Sequence, residues 1–297
     1  MVFGEGIYEH TPLALFEGPV NKIYVQAINA VLQNGAWVGP IDSGGAQGRR
    51  TKELNPVIFR IPEASQQFVT AVGRPINLAF ALAELVWILG GQDTTDIVAF
   101  YNSTIHAAAN DGVFHGAYGR RLRYTTGVHS GRLYGNTSVI MDQLEHTIEK
   151  LRREPESRQA VMTLWDPIKD AELYNPETRR KFNDYPCNIV SHLLIRDDKL
   201  CWTQFMRSND AIFGTPYNWV QFLTLQNWMA ARLGVEVGHH VLISDSFHIY
   251  ENQLEEAEKI KSFNLIHNQP FTTQDYVADV DDLLHAEHCI RTNTLQL

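Results

Sequence analysis

The chain has 297 residues, 44% of them hydrophobic, with 34 acidic and 25 basic side chains and a formal net charge of -9. That length can bury one sizeable core, and the acidic balance argues against nucleic acid as a partner, because phosphate backbones are held by clustered Lys and Arg. Three cysteines, Cys187, Cys201 and Cys289, lack CxxC spacing, which points to a reducing compartment and gives neither a disulfide framework nor a zinc site.

No Pro/Gly/Ser-rich linker, repeat or low-complexity tract divides the sequence, so residues 1–297 read as one domain. The N-terminus has no charged region followed by an apolar one, and no run approaches ~18 apolar residues. We expect a soluble cytoplasmic protein without membrane association. Residues 1–20 read only as an N-terminal extension.

In chain order, Ile23 to Gln33 has helical spacing. Gly44-Gly45-Ala46-Gln47-Gly48-Arg49-Arg50-Thr51 then forms a basic loop whose backbone N–H groups and paired guanidiniums make either a phosphate clamp or a solvated turn. Leu78 to Leu89 (LAFALAELVWIL) is apolar nearly all round and predicts a buried helix. Its only charge is Glu84. A carboxylate there must be paired, hydrogen-bonded or neutralised, so Glu84 is a structural acid or a proton-relay group. Tyr118 follows in Gly116-Ala117-Tyr118-Gly119, beside a turn, and Met141 to Arg152 has amphipathic helical spacing that ends at Glu154 to Gln159.

The segment from Asp184 to Asn218 concentrates the chemistry. Ile189 to Ile195 and Leu200 to Met206 are short apolar runs separated by Asp197-Asp198-Lys199, which predicts a β-hairpin with Cys187 at its entry and Arg207 just past its exit. Ser208, Asp210 and Asn218 lie close behind. A cysteine acts as a nucleophile only as thiolate, and a nearby guanidinium lowers its pKa, so Arg207 is the candidate activator. The alternative is a small buried hydrophobe. Trp219 to Leu233 predicts a helix stopped by Gly234. Val241 to Ile243 predicts a strand delivering Ser244 to Tyr250, with His248 and Tyr250 on one face as site or core residues.

Four ordered blocks carry a resemblance: Pro186-Cys187, Arg207-Ser208-Asn209-Asp210, Phe213-Gly214 followed by Asn218, and His248-Ile249-Tyr250. Together they resemble the signatures of the thymidylate synthase family, with weaker similarity from about Arg50 to Tyr250 and little in residues 254–297. Met206-Arg207-Ser208-Asn209-Asp210 and Ser246-Phe247-His248 are more similar to the phage deoxycytidylate hydroxymethylase branch. The resemblance implies one α+β domain with a mixed, largely buried β-sheet and packed helices, acting as a homodimer. It implies Cys187 as nucleophile, and Glu84 and Tyr118 as proton-moving groups. Arg50, Arg207, Ser208 and the partner's Arg158 would hold a phosphate, while Asn218, His248 and Tyr250 hold base and sugar. The cosubstrate implied is 5,10-methylenetetrahydrofolate, its pterin bonded to Asp210.

Departures from the pattern set further expectations. Methylating members carry two tryptophans where this chain has Thr104 to Asp111 (TIHAAAND), and Arg-Arg where it has Arg158-Gln159. Synthases have Asp at Ser246 and His at Asn188. With the aromatic screen missing, water is expected to complete a hydroxymethyl group, where a hydride would complete a methyl group. Asn218 favours uracil over cytosine, for which the hydroxymethylase has Asp. A thymidylate synthase proper, a cysteine hydrolase using Cys187 with His248, and an idle nucleotide-binding protein are the competing readings.

Overall fold

A computed structural model of the chain describes residues 13–39, 50–64, 68–131, 135–172, 184–262 and 279–294. Its strands are β1 (Ala14–Glu17), β2 (Ala36–Val38), β3 (Thr51–Leu54), β4 (Val57–Ile61), β5 (Thr125–Gly131) and β6 (Gly135–Met141). β7 (Val161–Thr163), β8 (Asn188–Arg196), β9 (Lys199–Met206), β10 (Asn209–Asp210), β11 (Glu236–Ser244) and β12 (Phe247–Tyr250) follow. The helices are α1 (Val20–Asn34), α2 (Leu78–Leu89), α3 (Asp96–Tyr101), α4 (Tyr118–Arg123), α5 (Gln143–Arg153), α6 (Pro167–Glu172), α7 (Thr215–Leu233), α8 (Leu254–Ala257) and α9 (Val280–Thr292).

The two apolar runs around Asp197-Asp198 pair as β8 and β9. Both aspartates take left-handed backbone (φ 52° and 57°), the conformation a two-residue hairpin turn needs and one that Asp tolerates. This hairpin is the centre of a six-stranded sheet in the order β1-β4-β11-β9-β8-β7. The sheet is mixed, with β1/β4 and β11/β9 parallel and the other pairs antiparallel. A second sheet, β10-β12-β3-β2, carries His248 and Tyr250. The expected α+β class holds.

Helix α7 lies against β9 and β11 and is buried along nearly its whole length. It starts at Thr215, four residues before the apolar spacing, because Pro216 occupies the first turn where its missing N–H costs nothing. Trp219 packs edge-on against Tyr24 and Phe59, joining α7 to α1 and β4. Gln226 bonds the carbonyls of Leu200 and His239, and its Oε1 lies 3.0 Å from His240 Nδ1. Burial lowers the His240 pKa to about 3, so this central imidazole is neutral.

Several expectations need correction. One row of the largely buried sheet is less covered in the single chain: Val190, Phe205, Ile243 and Ile58 stand in register across β8, β9, β11 and β4, each partly covered, and Leu15 of β1 beside them is 58% exposed. Helix α2 has the predicted bounds but not full burial, since Leu78 and Leu82 are 51% and 50% exposed. Residues 14–17 are more than an extension; they add the parallel edge strand β1. Met141 ends β6, and Asp142 caps α5 by accepting from Glu145 N–H. The weakly matched C-terminal region contributes α9, which packs on α2. Most of the glycine loop before Arg50 lies outside the described residues.

Helix α4 crosses α2 at Gly119, where a Cβ would stand 2.7 Å from Ile88 O and 2.9 Å from Trp87 O. Gly119→Ala is expected to destabilise the fold by about 1–3 kcal/mol through overpacking, measured as a lower midpoint in urea denaturation.

Candidate active site

Cys187 sits one residue before β8, as expected. Arg207 follows the end of β9, and its backbone N–H donates to Cys187 O at 2.9 Å. The guanidinium is aimed by three contacts: Nε donates to Pro186 O (3.0 Å), Nη2 to Tyr185 O (3.3 Å), and the group lies 5.7 Å from the Trp165 ring centre. The thiol lies 3.8 Å from Tyr185 O, and the nearby Ser208 side chain favours its thiolate form. Burial raises the Cys187 pKa, and the Arg207 charge opposes that shift without overcoming it. The expected depression is therefore not realised in the free protein. Arg207 pulls in the right direction, but desolvation of the sulfur outweighs one guanidinium.

Tyr118 meets Cys187 from α4. Its hydroxyl oxygen accepts from Asn188 N–H (3.2 Å), and burial holds its pKa above the usual tyrosine range. The loop before it is tied to the loop bearing the thiol, because Asp184 Oδ1 and Oδ2 accept from the N–H groups of His115 (3.0 Å) and Gly116 (2.6 Å). A side chain at Gly116 would meet Pro186 N at 2.9 Å, so the two loops touch backbone to backbone. Asn188 is fully buried, and both its carboxamide atoms bond to none of the described residues. Glu84 is raised to about 8 by burial, only partly offset by a hydrogen bond to Gln221, and is protonated at neutral pH.

Asp210 Oδ1 accepts from the N–H groups of Ile212 (2.8 Å) and Phe213 (2.9 Å), and Oδ2 from Gln253 (3.3 Å). Asn218 Nδ2 donates to Asn209 Oδ1 at 3.3 Å, and its own Oδ1 bonds to none of the described residues. β10 pairs with β12 so that Asp210 stands beside His248, whose ring packs edge-on against Tyr250 with centroids 5.0 Å apart. Burial lowers the His248 pKa, and the Asp210 charge opposes this. Arg50 continues from β3 alongside Tyr250, stacked on Trp37 and 3.4 Å from Glu251. Arg158 stands apart: its guanidinium is exposed, and its backbone carbonyl accepts from His192.

The sequence reading omitted Asp184 as a clamp and Glu53, whose carboxylate accepts from Ser246 Oγ. A neighbouring cavity of about 410 Å³, lined in part by His115, Arg121, Tyr124 and Trp165, contains none of the expected site residues. Its Arg121 is paired with Asp170 at 2.7 Å.

Comparison with known proteins agrees with this geometry. The family model described as "Thymidylate synthase" matches residues 22–272. The chain belongs to the thymidylate synthase family. It is 32% identical over 262 residues, 86% of its length, to a deoxyuridylate hydroxymethyltransferase of Bacillus phage SP01. It is also 32% identical over 219 residues, 70% of its length, to a protein of that name from Pseudomonas phage M6. The chain spans 64% and 57% of the lengths of those two relatives. It is 26% identical over 229 residues, 73% of its length, to a Francisella philomiragia thymidylate synthase, 79% of which is covered.

Within the thymidylate synthase family fold, the region where methylating members carry tryptophans is a short 3-10 turn, Ser103–Ala108, with His106 and Ala107 exposed. His248 bonds to Ser246, not to the Cys187 thiol, so no Cys–His pair supports the hydrolase reading. Among the described residues no helix is long and apolar enough to cross a membrane.

Because burial holds the Cys187 pKa up, the thiolate fraction at neutral pH is small and grows as pH rises past the ordinary thiol value. Iodoacetamide labelling of Cys187, resolved by peptide mass spectrometry, is expected to accelerate with pH into the alkaline range. Arg207→Gln is expected to move that profile to still higher pH.

Proposed function

We propose that the chain is a folate-dependent nucleotide C5 hydroxymethyltransferase that acts on dUMP. The observation that carries the reading is the Cys187 thiol held between Arg207, Ser208 and Tyr118. Sulfur addition to C6 of a pyrimidine makes C5 electron-rich, which is the covalent step a cysteine can provide. 5,10-Methylenetetrahydrofolate supplies the one-carbon unit when bound. Asp210 fits it, since two backbone amides fix one carboxylate oxygen while the other, among the described residues, accepts from Gln253 and can also accept from a pterin N–H.

Glu84, a neutral acid whose Oε2 bonds to none of the described residues, is suited to passing a proton near the base. Tyr118, its oxygen oriented by Asn188 N–H, keeps its own proton and assists removal of the C5 proton through water. Asn218 Oδ1 accepts from N3–H of uracil, a proton neutral cytosine lacks. Arg207, Ser208 and Arg50 hold the phosphate. The exposed turn at His106 and Ala107 lacks the large rings that would screen a reactive base methylene, which supports water as the closing nucleophile.

The partly covered row across the six-stranded sheet supports a homodimer, with Arg158 reaching the partner's phosphate site, and the three cysteines without CxxC spacing fit a reducing cytoplasm. Phe205→Glu, a charge in the middle of that row, is expected to leave a monomer in sedimentation and to lower activity with it.

Incubation with dUMP and methylenetetrahydrofolate, followed by mass spectrometry, is expected to give 5-hydroxymethyl-dUMP and tetrahydrofolate, while dCMP is not converted. Methyl transfer with dihydrofolate formation would instead identify a thymidylate synthase. Cys187→Ser is expected to abolish tritium release from C5, which separates an enzyme from an idle nucleotide binder.

A further inference from the structure

A hydrogen-bonded chain of three side chains on and beside two strands lies outside the steps above. Ser246 Oγ donates to Glu53 Oε2 at 2.6 Å and lies 3.2 Å from His248 Nδ1. The Ser246 carbonyl oxygen is 3.4 Å from the same nitrogen. Pairing of β3 with β12 sets Glu53 directly across from His248. A serine hydroxyl has one proton, and an ionised carboxylate can only accept. The short, charge-assisted bond to Glu53 takes that proton.

Toward His248 the hydroxyl then offers only lone pairs, as does the carbonyl. Nδ1 must carry the imidazole proton. In neutral His248, Nε2 keeps a lone pair and bonds to none of the described residues. The family pattern has Asp at the Ser246 position; here the carboxylate comes from another strand and acts through the hydroxyl.

We propose that Glu53, through Ser246, is a positioning residue that holds His248 in its Nδ1–H form, so that Nε2 accepts a hydrogen bond from a sugar hydroxyl of the nucleotide. The identity of the ligand rests on the reading of function above; the tautomer does not. The site then selects a sugar that can donate at this position, and rejects one bearing hydrogen or an acceptor-only substituent there.

The tautomer is read without ligand by two-bond proton–nitrogen NMR on protein labelled at histidine nitrogen, with the His248 signal assigned by its loss in His248→Gln. Protonated Nδ1 and bare Nε2 are expected; protonated Nε2 would overturn the proposal. Calorimetric binding of dUMP to Glu53→Gln is expected to weaken about tenfold, the effect of one misdirected hydrogen bond. Binding of 2′,3′-dideoxyuridine monophosphate should change by less than about twofold on the same basis. Ser246→Ala, which removes the relay without touching the charge, is expected to show the same selectivity. Equal weakening for both nucleotides would overturn the positioning role. Failure of the wild-type chain to bind dUMP would overturn the ligand and the functional reading together, and the NMR result distinguishes that case from a wrong tautomer.

Discussion

The backbone hydrogen bond from Arg207 N–H to Cys187 O holds the site together. It closes the open end of the β8–β9 hairpin one step beyond the regular ladder, so a sulfur and a guanidinium 20 residues apart in sequence are fixed by main-chain geometry. Side-chain freedom alone could not hold such a pair without a large entropic cost. The opposite end of the hairpin, with two left-handed aspartates, sets the register from Arg196 back to Val190, and an irregularity between Val190 and Asn188 shifts it by one residue, so that Asn188 faces Met206 and Cys187 comes opposite Arg207. Without that shift Cys187 would face Ser208.

Charge around the sulfur is balanced, not one-sided. Arg207 favours thiolate, while burial and the nearby carboxylates of Asp210 and Asp184 disfavour it. A nucleotide phosphate on Arg207 would further reduce the cation's pull on the sulfur. On the proposed reading, reactivity would come from placing C6 against the thiol at close range, where proximity replaces acidity. The protonated Glu84 is consistent with that economy, since it adds no further negative charge to the site.

Local signals make much of this architecture legible in the sequence. Short apolar runs flanking Asp197-Asp198, the apolar block from Leu78 to Leu89 and the glycine after Leu233 define β8, β9, α2 and α7 because run length, polar turns and stops are properties of neighbouring residues. Ala14–Glu17 is not legible as a strand, since its pairing partner is 43 residues away and its own pattern is too short to read. The open face of α2 is hidden by an all-apolar sequence, which does not say which side lacks a neighbour. Cys187 and Arg207 stand out as motif residues, whereas Glu53 meets Ser246 across 193 residues and leaves no local mark. The net direction of the Cys187 shift is equally invisible, because burial sums over every element packed on the sulfur.

Asp184 gives the site one mechanical property. By accepting from two successive amides, it joins the segment bearing the phenol to the segment bearing the sulfur. Thermal opening of either segment has to break both of these bonds, so the two form one cooperative unit and are protected from amide exchange together. Breathing motions that admit solvent or ligand must then occur elsewhere along the rim, and the two reactive groups keep their spacing throughout.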